Sequence, residues 1–114
     1  MSEIKSTYQE FQLRRELEDG TFEYETVNLT LSFSKLNVLR SRNNELYTRY
    51  CKVLYGKSED ILDMVTMIYV AYWCANLTLP KDKLYSEDEF IELVPFDLIE
   101  IKRVYNSLVQ PKKK

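Results

Sequence analysis

The sequence predicts a mainly α-helical protein, a compact bundle of about four helices with a β-hairpin at its N-terminus, or α+β if the hairpin is counted. Apolar residues alternate with polar ones before residue 33 and recur at helical spacing after it. The chain has 114 residues, 45% of them hydrophobic and 30% charged, which suits one domain with one modest core. We expect that domain to cover residues 1–110 and a basic flexible tail to cover 111–114.

Residues 8–33 are expected to form the hairpin. Two alternating runs flank Asp19 and Gly20, a dipeptide that suits the positive φ angles of a tight turn. The alternation slips by one position between Tyr24 and Val27, which predicts a β-bulge there. An amphipathic helix over residues 8–18 is the alternative.

One long helix is expected over residues 35–55. Ser32 or Ser34 can cap its first turn, because a serine hydroxyl accepts a hydrogen bond from a free amide there. Gly56 follows at the place where a left-handed C-terminal cap is favoured. The apolar positions with helical spacing are Leu36, Leu39, Leu46, Tyr50 and Val53.

The next helix is expected to be the central one. Ser58, Glu59 and Asp60 open it, with acidic residues where the helix dipole favours them, and it runs to about residue 77. Residues 64–75 are apolar on nearly all sides, yet this run is shorter than the roughly 20 residues that a membrane span needs. We therefore expect a buried helix. A ligand-binding lining is the alternative for Met64, Met67, Tyr69, Tyr72 and Trp73.

Two shorter helices are expected to complete the bundle. Ser86 and Glu89 have the spacing of a capping box, and Pro95 ends the short helix that follows. Asp97 can cap the last helix. The apolar stripe of that last helix consists of Ile101, Val104, Tyr105 and Leu108.

Composition argues against catalysis. The chain has no histidine and only two glycines, so serine–histidine triads, most zinc sites and glycine-rich phosphate loops cannot be built. We expect no enzymatic activity, no cofactor and no metal. Cys51 and Cys74 lack metal-site spacing and are expected to be free thiols rather than a disulfide. The first residues lack the apolar segment of a secretory signal, so none is expected.

Charge is divided unevenly along the chain. Residues 35–57 contain six basic residues and one acidic residue, whereas residues 82–100 contain seven acidic residues and one basic residue. The two regions either pair within one molecule or join one subunit to the next. A contact between unlike surfaces repeats head-to-tail, giving rings or filaments. The expected self-association residues are Lys35, Arg40, Arg42, Arg49 and Lys52 on one side and Glu87, Asp88, Glu92, Asp97 and Glu100 on the other.

Aromatic residues are numerous, with nine tyrosines and five phenylalanines. Aromatic side chains dominate many protein-binding hot spots. Tyr47, Tyr55 and Tyr85 lie off the apolar stripes, so we expect them at the surface, where they would contact a client protein. Half-buried edges of the core are the alternative for each of them.

The order of these motifs resembles the small tail assembly chaperones of long-tailed phages that infect Gram-positive bacteria. The resemblance covers residues 29–110 and rests on apolar, aromatic and capping positions. Those positions are Leu36 and Leu39, Tyr47 and Tyr50 before Gly56, Asp60, Ile61 and Leu62 leading into residues 68–72, and Ser86, Glu89, Phe90, Ile91 and Glu92.

The resemblance implies a helical, self-associating protein of the host cytoplasm that coats the tape measure protein during tail assembly and is absent from the mature virion. It also implies a longer form, made by a ribosomal frameshift near Lys112–Lys114, that contacts the tail tube protein. A plain solubilising tail is the alternative for those lysines. Nucleic acid is not expected as a partner, because the body of the chain is acidic. A membrane is not expected either, because the apolar run is too short to span one. A small adaptor or regulator, antitoxin-like or associated with nucleic acid, is the alternative function.

Overall fold

The computed structural model describes residues 8–56 and 60–109. Its described part consists of a hairpin of strands β1 (Gln9–Glu16) and β2 (Phe22–Leu29), followed by five α-helices and one 3-10 turn at Lys81–Lys83. The predicted fold class, mainly helical with an N-terminal hairpin, is confirmed. The helices are α1 (Phe33–Arg42), α2 (Asn44–Gly56), α3 (Ile61–Ala75), α4 (Glu87–Leu93) and α5 (Leu98–Val109).

The hairpin is regular, and the predicted bulge is wrong. Its antiparallel register runs without interruption from the Gln9–Leu29 pair to the Glu16–Phe22 pair. The slip in the apolar pattern arises because Tyr24 lies on the outer face, opposite Arg14, while Val27 points into the core. Gly20 has φ of +86°, which is the left-handed conformation that the turn requires. The strands end before the predicted residue 33.

The predicted single helix over residues 35–55 is two helices. Asn43 leaves the helical conformation, with φ of −150° and ψ of 78°, and thereby ends α1. Its side-chain oxygen accepts a hydrogen bond from the Leu46 amide and so caps α2. At the start of α1, Ser32 rather than Ser34 is the cap. Gly56 ends α2 without a positive φ angle, so the predicted left-handed cap is wrong.

Helix α3 is the centre of the fold, as predicted. Every residue from 64 to 74 is buried, and the helix packs against β2 and all four other helices. Asp60 caps its first turn through the Leu62 amide, while the predicted contributions of Ser58 and Glu59 lie outside the described residues. Within residues 8–56 and 60–109, no helix is long and apolar enough to cross a membrane.

The caps of the last two helices form as the sequence predicts. Ser86 and Glu89 make both hydrogen bonds of a capping box at the start of α4. Asp97 accepts a hydrogen bond from the Glu100 amide at the start of α5. The Val94–Asp97 connection is short, so it turns the chain sharply and leaves Phe96 in solvent. The predicted tail, 111–114, lies outside the described residues.

Candidate functional site

Among the residues that the structure describes, an apolar groove lies near each end of α5. The first, which we call the α4–α5 groove, is a concavity of about 120 Å³ where α3, α4 and α5 meet. Leu62 and Phe96 stand out from the surface there, with 64% and 88% of their area exposed. The groove is lined by Ile61, Leu62, Val65, Ile91, Val94, Pro95, Phe96, Asp97, Leu98 and Ile101.

The second, which we call the α2–α5 groove, is wider, with a volume of about 500 Å³. The start of α1, the end of α2 and the end of α5 form its walls. Phe33, the first residue of α1, is 92% exposed at its edge. The groove is lined by Leu31, Ser32, Phe33, Leu36, Tyr50, Leu54, Leu108 and Val109.

Sequence reasoning missed both grooves. The predicted stripe of α5, from Ile101 to Leu108, accounts for the buried face, with Ile101 and Val104 fully buried. Leu98 lines the α4–α5 groove but lies outside that stripe, so this leucine at the start of α5 was the available signal. Phe96, between Pro95 and a helix cap, was the second signal, because such connections are usually polar.

Two of the predicted self-association residues pair with each other inside the molecule. The guanidinium of Arg49 forms a bidentate ion pair with the carboxylate of Glu87, in which Nη2 donates to Oε2 at 2.6 Å. This hydrogen-bonded pair raises the pKa of Arg49. The pair connects α2 to the start of α4. Arg49 and Glu87 therefore pair within one molecule, which is one of the two alternatives that the sequence left open for these charges.

Arg42 is also engaged within the chain. Its guanidinium donates hydrogen bonds to the carbonyl oxygens of Leu77 and Leu79, the latter at 3.1 Å, and lies over the ring of Trp73. It therefore fastens the end of α1 to the segment that leaves α3. Arg40 donates to the side chain of Asn37 and lies near the Tyr47 ring.

The other charged residues of the predicted set divide into caps and open surface. Asp97 is the cap of α5, and Glu100 forms an ion pair with Arg103 one turn further on. Lys52, Asp88 and Glu92 are exposed, and Lys35 is partly exposed. Self-association through these residues stays a prediction.

The three tyrosines predicted at the surface differ in their environments. Tyr55 is 80% exposed, as expected. Tyr47 and Tyr85 are half-buried against the core, which matches the alternative of half-buried core edges, and their contact with a client stays a prediction. Tyr47 packs against Tyr50, and the hydroxyl of Tyr85 donates a hydrogen bond to the carboxylate of Glu25, which raises the pKa of Tyr85.

A network of aromatic side chains holds Tyr85 in place. The Tyr69 hydroxyl donates to the Tyr85 carbonyl oxygen at 2.8 Å and accepts from the Trp73 indole at 2.9 Å. The Tyr72 hydroxyl accepts from the Tyr85 amide at 3.0 Å. Phe90 packs against both of these tyrosine rings. The aromatic residues of α3, offered by the sequence as either a ligand lining or a core, thus form the core and anchor the segment before α4.

The cysteines are both free, as predicted. Cys74 is fully buried, and its burial raises the pKa of the thiol to about 12. Cys51 is partly exposed on α2. No group of histidine, cysteine and acidic residues suited to a metal ion occurs in the described part of the chain.

No family model, no curated protein and no solved structure matches the chain.

Proposed function

We propose that this protein is a non-catalytic chaperone of phage tail assembly that binds the tape measure protein and keeps it soluble while the tail forms. The proposal includes self-assembly of the chaperone in the host cytoplasm and its absence from the mature virion. One observation carries it: Phe33, Tyr55, Phe96 and Ile99 are each at least 80% exposed. The family resemblance described above supplies the class of client.

The exposed residues are not a by-product of a poor core. In the described part of the chain, twenty-two hydrophobic residues are buried and no buried side-chain nitrogen or oxygen lacks a hydrogen bond. Because the core is packed and its polar atoms are hydrogen-bonded, the exposed apolar side chains are not required to stabilise the fold. Apolar residues clustered at a surface are typical of protein-binding sites. The grooves between helices suit amphipathic helices, which lay one apolar face into such a groove.

The positions that carry the family resemblance are mostly core positions. Leu36, Leu39, Ile68 and Phe90 are buried. The shared pattern therefore supports a shared scaffold, and the client contact is proposed on the exposed residues instead. Tyr55 is the one of the three predicted tyrosines whose side chain is open to a client.

Co-expression with the tape measure protein tests the proposal. The chaperone is expected to raise the soluble fraction of the tape measure protein several-fold and to co-purify with it. Tyr55→Ser is expected to reduce this gain, whereas Tyr24→Ser, the same change at an exposed tyrosine of the hairpin, should leave it intact. A tape measure protein that is equally insoluble with and without the chaperone would refute the proposal.

Two further measurements address localisation and the longer form. Immunoblots should detect the protein in infected cells and not in purified virions. The coding DNA should carry an A-rich slippery heptamer at codons 112–114 with an overlapping −1 frame, whose product would contact the tail tube protein. A chain that stays monomeric and binds one folded partner at 1:1 would instead fit an adaptor.

A further inference from the structure

We infer that the α4–α5 groove of one subunit binds the α2–α5 groove of the next, so that the chain associates head-to-tail through two different surfaces. This inference rests on the self-assembly part of the proposed function and identifies the surfaces that would carry it. Each groove has an apolar centre, and the charges around the two centres are opposite in sign.

The α4–α5 groove has an acidic surround. Residues 84–103, which include most of its walls, contain six acidic residues and two basic ones, and Glu87 and Glu100 among the acids are paired with arginines of the same chain. Asp97 is itself part of the lining, Asp88 lies one helical turn before Ile91 on α4, and Glu92 is exposed beside it. An apolar surface with this surround selects a partner whose own apolar patch is flanked by positive charge.

The α2–α5 groove has the matching basic surround. Residues 30–56, which supply its α1 and α2 walls, include five basic residues and one acidic residue, Glu45. Lys35 directly precedes the groove residue Leu36, Lys52 lies between the groove residues Tyr50 and Leu54, and both retain exposure. Arg49, in contrast, pairs with Glu87 within the molecule. The same molecule therefore carries both halves of a complementary pair, which favours a second copy over an unrelated protein as the occupant.

The position of the grooves makes the contact heterologous. Ile101 lines one groove and Leu108 the other, so their seven-residue separation on α5 corresponds to about 10.5 Å along the helix axis. The two grooves are different surfaces of one subunit, so a contact that joins one to the other is heterologous. A contact of this type repeats into a ring or an open filament, because each subunit that binds a neighbour through one groove still has its other groove unoccupied.

The strength of the contact is expected to be moderate. Few large side chains stand out at each groove, and a fully buried aromatic side chain contributes about 150–250 Å². The apolar part of the interface is therefore smaller than the roughly 800 Å² per partner of a standard stable complex. Association should depend on protein concentration and weaken as salt screens the charged surrounds.

A complementation experiment with two variants tests the pairing. The first variant, Phe96→Ser, removes the most exposed apolar side chain of the α4–α5 groove, and the second, Phe33→Ser, removes the edge of the α2–α5 groove. Both side chains are at least 88% exposed, so both variants should fold normally. Circular dichroism and the unfolding midpoint check this, with Tyr24→Ser as the matched surface control.

Sedimentation velocity over a wide concentration range gives the outcome. Wild type and the Tyr24→Ser control should form species larger than one chain of 13.7 kDa, and the dissociation constant should rise about tenfold between low and high salt. Each groove variant alone should stay monomeric. Their mixture should form a 1:1 heterodimer that does not extend, because one intact groove remains on each chain.

Three results would overturn the pairing. The wild type could be monomeric at every concentration and salt, one variant could self-associate like wild type, or the mixture could stay monomeric. The tape measure solubility assay on the same variants separates the two proposals. Monomeric variants that still solubilise the client would support this interface while removing self-assembly from the chaperone function, whereas intact head-to-tail assembly without any effect on the client would refute the function alone.

Discussion

The Tyr69 hydroxyl is expected to be the most valuable single polar group in the core, and Tyr69→Phe removes it without changing the ring. The hydroxyl accepts a hydrogen bond from the indole of Trp73, which is 2% exposed, and donates one to the Tyr85 carbonyl. Its own side chain is 5% exposed. Water therefore cannot easily replace it.

The magnitude follows from the groups left behind. A buried indole N–H without a partner costs about 1–3 kcal/mol, and the half-buried Tyr85 carbonyl loses about 0.5–1.5 kcal/mol. We expect Tyr69→Phe to lower the free energy of unfolding by about 1.5–4.5 kcal/mol. Tyr72→Phe should cost about half as much, because the Tyr72 hydroxyl satisfies only the Tyr85 amide. The total stability of a chain of this length is roughly 6–17 kcal/mol.

Urea unfolding followed by tryptophan fluorescence measures this directly, since Trp73 is the only tryptophan. With a denaturant slope of about 1.5 kcal/mol/M, a loss of 3 kcal/mol lowers the midpoint by about 2 M. Tyr24→Phe, at a 59% exposed position, is the matched control and should change the free energy by less than about 0.5 kcal/mol. If Tyr69→Phe behaved like this control at an unchanged slope, the network would not be a stabilising element.

Three other predictions use the same unfolding assay or a simple chemical probe. Ser86→Ala should lower the free energy of unfolding by about 1 kcal/mol through loss of the capping box, and Ser86→Thr should retain most of it. Ellman's reagent should modify the thiol of Cys51 quickly and that of Cys74 only as fast as the protein opens. Equal rates for the two thiols would contradict the burial of Cys74. Because the Cys74 pKa rises from 9.0 to about 12 on folding, the unfolded state loses its proton first. The stability that the buried, protonated Cys74 thiol contributes should be complete below pH 9 and should be lost between pH 9 and 12. Cys74→Ala should reduce this dependence of the free energy of unfolding on pH.

Elements with local signals could be predicted from the sequence. The serine and aspartate caps act within three residues, so Ser32, Asp60, Ser86 and Asp97 mark helix starts without reference to the rest of the fold. The burial of α3 follows from its lack of a polar face. These features determine the order of elements and the identity of the central helix.

The break at Asn43 could not be predicted in the same way. The segment around it contains neither proline nor glycine, and the apolar spacing continues across it. Two contacts accompany the end of α1. The Asn43 side chain accepts a hydrogen bond from the Leu46 amide, which is a local cap. The Arg42 guanidinium donates to the carbonyl oxygens of Leu77 and Leu79, which is a distant contact. That distant contact depends on where the segment after α3 lies, which no pattern in α1 encodes.

The grooves escaped sequence reasoning for a related reason. A stripe of apolar residues predicts that a face is buried, but it does not say how many neighbours will cover it. Helix α5 packs chiefly on α3, which covers Ile101 and Val104 and leaves Leu98 and Ile99 open. Exposure at the grooves is therefore a property of the assembled fold.

The separation of core from groove has a consequence for function. The aromatic network stabilises the fold through Tyr69 and its partners, and none of these lines either apolar groove. Phe96 and Ile99 contribute little to that core, so changes there should alter the free energy of unfolding by less than about 0.5 kcal/mol. Assembly and folding can then be varied independently, and a loss of assembly in the groove variants at unchanged stability would identify the contact itself as the cause.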